Sequence, residues 1–87
     1  MATPATRLKA LSLYRELLRA AEKMPTPNRR KFVASKTRTE FRSNAMLTDP
    51  EEINFCIRLA DTNLDTVIIQ AEHLSKLMGD PNYHADI

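Results

Sequence analysis

The prolines constrain this chain more than any other feature. Five of them, at positions 4, 25, 27, 50 and 81, separate three stretches that each carry a helical period. Proline has no backbone N–H and breaks a helix interior, yet it suits the first helical position. Thr3-Pro4 therefore reads as a cap followed by the first residue of a helix running to about Met24. Ala10, Leu13, Tyr14, Leu17, Ala21 and Met24 follow the 3.6-residue period, and Leu11 and Leu18 add a shorter stripe. Pro25-Thr26-Pro27 ends that helix. A second helix is expected over 28–44, with Asn28 as its cap. Asp49-Pro50-Glu51-Glu52 starts a third, pairing a capping carboxylate with acids at the positive end of the helix dipole. The third helix is expected over 50–78. Its Ile53, Ile57, Ala60, Leu64, Val67, Ala71, Leu74 and Met78 recur every three or four residues, as a helix–helix seam requires. Gly79 closes it and Pro81 prevents its continuation.

Three helices with short connections predict an all-α, antiparallel up-down-up three-helix bundle. It forms a single domain over 1–79, with a short tail over 80–87. The only glycine is Gly79, which argues against a strand-rich fold or a phosphate-cradling loop. The third helix outruns the second, so part of it protrudes or supports a partner. The second is thin in apolar residues: Val33, Thr37 and Phe41 form its inward line while the cations face out. A chain of 87 residues buries only about 60% of its unfolded surface, which leaves a stabilising role for a partner or a buried ligand.

Net charge is +2, but it is unevenly spread. Residues 1–48 hold eleven Lys/Arg against three Asp/Glu, and residues 49–87 hold two against eight. One basic face on a dipolar molecule is one outcome; mutual neutralisation of the halves is the other. The N-terminal stretch carries Arg7, Lys9, Arg15 and Arg19 with no acid before Glu16. Such a pattern suits a mitochondrial targeting segment, an ordinary first helix, or both. No apolar run of membrane-spanning length occurs, so no membrane span is expected.

Enzyme chemistry is not expected. Cys56 and His73 lie seventeen residues apart on one helix, about 25 Å at 1.5 Å per residue, too far for a nucleophile–base pair. His73, His84 and Asp86 lack metal-site spacing, so neither catalytic nor metal residues are assigned. The lone Cys56 reads as a small buried hydrophobe. Six cations between Arg29 and Arg42 could neutralise phosphates, making a basic nucleic-acid-binding module the lesser alternative. That run has no recognition-helix or RNA-module signature, and the third helix is acidic. A protein partner with an acidic helix fits better. Arg38 and Arg42 lie one turn apart, Arg15 follows Tyr14, and arginine pairs well with carboxylate or phosphate at interfaces.

Three blocks carry a more specific signal: Leu11-Ser12-Leu13-Tyr14-Arg15-Glu16-Leu17-Leu18-Arg19, Lys36-Thr37-Arg38-Thr39-Glu40-Phe41-Arg42-Ser43-Asn44, and Thr48-Asp49-Pro50-Glu51-Glu52-Ile53. Over about residues 7–77 the chain resembles the LYR-motif (complex 1 LYR-like) family of small mitochondrial adaptors. Leu13, Tyr14 and Arg15 match its motif, and Phe41 matches its second-helix aromatic. The resemblance implies residence in the mitochondrial matrix and binding to mitochondrial acyl carrier protein. It also implies that the carrier's acyl-4′-phosphopantetheine chain enters the helical core; the chain has no cofactor of its own. On that basis Tyr14, Arg15, Arg38 and Arg42 are the expected carrier contacts. Val33, Phe41, Ile57, Leu64 and Val67 are the expected lining of the acyl-chain tunnel.

Within the family, some similarity points to the LYR accessory subunit of the mitochondrial cysteine desulfurase. Iron–sulfur cluster assembly is therefore the leading client. An accessory subunit or assembly factor of a respiratory complex or of the mitochondrial ribosome is the alternative. The chain departs from the desulfurase subunit at Asp61, Asp65 and Glu72, where that subunit is more basic. It also has Pro27-Asn28 where an aromatic-Asn pair is expected, and it lacks the longer C-terminal extension.

Overall fold

The computed structural model describes residues 3–79. The expected tail, with Pro81, His84 and Asp86, lies outside the described residues. Three helices form in order: α1 Pro4–Glu22, α2 Pro27–Asn44 and α3 Pro50–Met78. Each begins with proline in its first turn. Thr3 caps α1 through a reciprocal pair: Thr6 N–H donates to Thr3 Oγ1 at 3.1 Å, and Thr3 N–H donates to Thr6 Oγ1 at 3.3 Å. Asp49 caps α3 by accepting from Glu51 N–H at 3.1 Å, with Glu51 and Glu52 in the first turn.

The α1–α2 connection departs from expectation. α1 stops at Glu22, two residues before Met24, and a tighter turn follows. Lys23 N–H donates to Ala20 O and Met24 N–H to Ala21 O, both at 3.1 Å. Met24 leaves the helix yet stays 2% exposed. The cap of α2 is Thr26 rather than Asn28. Pro27 fills the first helical position, which moves the capping site two residues upstream of Asn28. Thr26 Oγ1 accepts from Arg29 N–H at 3.2 Å. Arg30, expected to face out, turns inward, and its Nη1 donates to Met24 O at 2.9 Å. Thr26→Ala is expected to cost about 1 kcal/mol and lower Tm by roughly 4–8 °C, while Asn28→Ala leaves it almost unchanged. Thermal unfolding followed by circular dichroism checks this; equal effects would refute the Thr26 assignment.

α1 is the central helix, packing against both α2 and α3, while α2 and α3 scarcely touch. Leu13, Leu17 and Ala20 of α1 form the core with Ile53, Ile57 and Leu64 of α3. α2 contributes little to it, because Thr37 is its only buried residue. Phe41 packs on the core from the side, and Ala60 and Val67 do so within α3. Leu47 closes the α2–α3 connection, its N–H donating to Asn44 O at 3.2 Å. Gly79 caps α3 with an ordinary right-handed backbone, its N–H donating to Ser75 O at 3.1 Å. Its missing side chain is therefore not what ends the helix. At 29 residues, α3 is about 43 Å long, against about 28 Å for the 19 residues of α1.

Candidate functional site

The poor contact between α2 and α3 leaves a gap above α1. A cavity of about 290 Å³ opens there. Its floor is Ala10, Leu13 and Leu17, and its α3 wall is Cys56, Ile57, Leu59, Ala60 and Asn63. Phe41 closes the α2 side, with Glu40 and Asn44 beside it. The volume sits near the lower end of small-molecule sites, about 300–1,000 Å³. The lining is apolar at depth, and the amides and the carboxylate come from the two flanking helices.

A second depression lies on the opposite side of Phe41, between α1 and α2, and encloses about 510 Å³. Arg7, Arg38 and Arg42 line it, with Leu11, Tyr14 and Ala45, and no carboxylate among them. All three arginines are exposed. Among the described residues the only ion pair is Lys36–Glu40, at 3.9 Å. The three guanidinium groups therefore hold no carboxylate of the described chain. The two depressions share Ala10 and Phe41. Phe41 is held by Tyr14, with ring centroids 5.2 Å apart and planes tilted by 58°. An arginine-lined surface and an apolar interior thus meet at one aromatic wall.

The expected site residues divide accordingly. Tyr14, Arg38, Phe41 and Arg42 come together at the basic depression. Leu13 is buried beneath the cavity. Arg15 stands apart on the outward face of α1, in a shallow hollow with Leu8, Leu11, Ser12, Glu16 and Arg19. Leu11 borders both surfaces. Of the tunnel residues, Phe41 and Ile57 line the cavity. Leu64 is a core residue that borders a different crevice, between α1 and α3. Val67 packs on the core, and Val33 is half-buried on α2; neither lines the cavity. Arg7, Ala10, Leu17 and Ala60 take places for which they were not singled out. Arg7 was legible in principle: it precedes Tyr14 by seven residues, two turns along the same helix face. Cys56, expected to be a buried hydrophobe, is half-buried at the cavity wall. It stays on one unbroken helix with His73.

No described helix is long and apolar enough to cross a membrane. No group of three or more His, Cys, Asp or Glu side chains among the described residues could hold a metal ion.

The small bundle thus carries an arginine-lined surface and an apolar cavity on either side of Phe41. The chain belongs to the Complex 1 protein LYR family, whose profile matches residues 8–66, and is a small LYR-motif adaptor. It is 40% identical over 63 residues to the LYR motif-containing protein 4 homolog of Drosophila melanogaster, covering 72% of this chain and 68% of that one. It is 37% identical over 59 residues to LYR motif-containing protein 2 of Danio rerio, covering 68% and 67%. With LYR motif containing protein 1 of Danio rerio it shares 32% identity over 68 residues, 69% of this chain and 58% of that one.

Proposed function

We propose that this chain binds acylated acyl carrier protein in the mitochondrial matrix and docks it onto a client. The observation that carries this reading is the shared wall: Ala10 and Phe41 border both the arginine-lined depression and the apolar cavity. An acidic helix and a phosphodiester on the carrier suit Arg7, Arg38 and Arg42, since guanidinium groups pair in a fork with carboxylate and phosphate. The acyl end of the arm suits the cavity floor of Leu13, Leu17 and Ile57. Each buried methylene contributes about 0.8 kcal/mol, which supports a bundle whose own second helix adds little to the core.

The leading client is the iron–sulfur cluster assembly machinery, through the cysteine desulfurase. This choice rests on the resemblance of the Lys36–Asn44 block and the Asp49-Pro50 start to the desulfurase's accessory subunit. Respiratory complexes and the mitochondrial ribosome are the competing clients. The acyl-4′-phosphopantetheine group belongs to the carrier.

Native mass spectrometry of the complex from mitochondria tests the reading, because it reports the partners and the acyl mass together. In vitro, every two methylenes removed from the acyl group are expected to weaken binding roughly tenfold. Equal binding by a carrier lacking its prosthetic arm would refute acyl insertion.

A further inference from the structure

The charge halves of the sequence end up as two matching rows on different helices. On α2, Lys31, Arg38 and Arg42 lie on one face, at positions i, i+7 and i+11. On α3, Asp61, Asp65 and Glu72 lie on one face, at i, i+4 and i+11. All six are exposed, and none forms an ion pair among the described residues. Each row spans about 16 Å along its axis.

Reversing one helix makes the two spacings identical. With α3 antiparallel to α2, Glu72 meets Lys31, Asp65 meets Arg38 and Asp61 meets Arg42. The same register places Ile68, which is 41% exposed, at the level of the small Ser35. The cations that bracket the acidic row, Arg58 and Lys76, fall opposite Ala45 and Pro27, so no like charges meet. The rows cannot pair within one copy. Arg38 and Arg42 line the depression α2 shares with α1, whereas Glu72 borders the crevice on the other side of α1.

We propose that, without its carrier, the acidic row of one copy's α3 docks antiparallel on the basic row of another copy's α2. A second copy thereby covers the arginines until an acidic partner displaces it. The contact is heterologous: every copy uses one row to hold a neighbour and offers the other row to the next, so assembly continues past the dimer. It is weak and concentration-dependent, because each exposed pair contributes little and salt screens it. The displacement step rests on the proposed carrier reading; the self-association does not.

Analytical ultracentrifugation of the full chain, up to about 1 mM, tests it. The mean mass is expected to rise with concentration at about 0.1 M salt. It returns to monomer at about 1 M, where the screening length falls from about 10 Å to about 3 Å. The variants R38E/R42E and D61K/D65K are each monomeric. Mixed together they associate again, because the acidic α3 row of the first meets the basic α2 row of the second and their two reversed rows also pair. The fourfold variant regains self-association. A wild-type chain that stays monomeric throughout overturns the proposal. So does a mixture that fails to pair while both variants keep the wild-type circular dichroism spectrum. D61K/D65K keeps the basic row and is expected to bind acylated carrier at wild-type affinity. Failure there would count against the carrier reading and leave self-association standing.

Discussion

Ile53→Ala is expected to leave much of the isolated chain unfolded at 25 °C. Ile53 is 1% exposed and sits where the start of α3 meets α1, in the cluster with Leu13, Leu17 and Ile57. Removing a buried aliphatic side chain costs about 2–5 kcal/mol, the transfer term plus the cavity left behind. At about 0.05–0.15 kcal/mol per residue, a domain this size has only about 4–13 kcal/mol in total. The scaffold has little redundancy to absorb the loss, because nearly all its buried apolar contact runs between two helices. Phe32→Ala is the control: Phe32 is on the outer side of α2 and 67% exposed, so its removal changes stability by less than about 0.5 kcal/mol. Urea unfolding followed at 222 nm checks both. Equal midpoints for the two variants would contradict the α1–α3 core. If acylated carrier binds the folded chain alone, saturating it at about a hundred times Kd restores roughly 2.7 kcal/mol, enough to refold a large share of the variant.

The helices were legible because their signals are local. Thr3-Pro4 and Asp49-Pro50 each place a cap beside a proline, and neither depends on distant residues. Pro25-Thr26-Pro27 was harder, since two prolines and two capping residues compete within four positions. The structure resolves it in favour of Thr26, because Pro27 is already the first helical residue. Arg30 could not be placed from sequence, as its partner is the Met24 carbonyl freed by the early end of α1. The cavity was least legible. Periodicity tells which face of a helix points inward, but not how far apart two helices stand. Val33, Phe41, Ile57, Leu64 and Val67 all lie on inward faces. Only Phe41 and Ile57 border the gap, because α2 and α3 separate there, while Leu64 packs between α1 and α3 beside a different crevice.

Reversing Arg42 to Glu is expected to weaken carrier binding most among the surface cations, by roughly thirtyfold or more. Arg42 shares its depression with Arg7 and Arg38, beside the half-buried rings of Tyr14 and Phe41. Losing a charge partner at such a partly desolvated contact costs about 2 kcal/mol or more. Reversal adds repulsion against the carrier's acidic surface. Arg15→Glu should act more weakly and chiefly through the association rate, because Arg15 lies on the outward face of α1, where it steers more than it grips. Lys76→Glu should stay within a factor of about two, since Lys76 is in the last turn of α3, away from the depression. Surface plasmon resonance at two salt concentrations separates these effects. Arg15→Glu should lose its defect as salt rises, whereas Arg42→Glu should keep an elevated dissociation rate. Equal losses for all three variants, abolished together by salt, would reduce the carrier contact to general charge attraction and remove the case for a built site around Phe41.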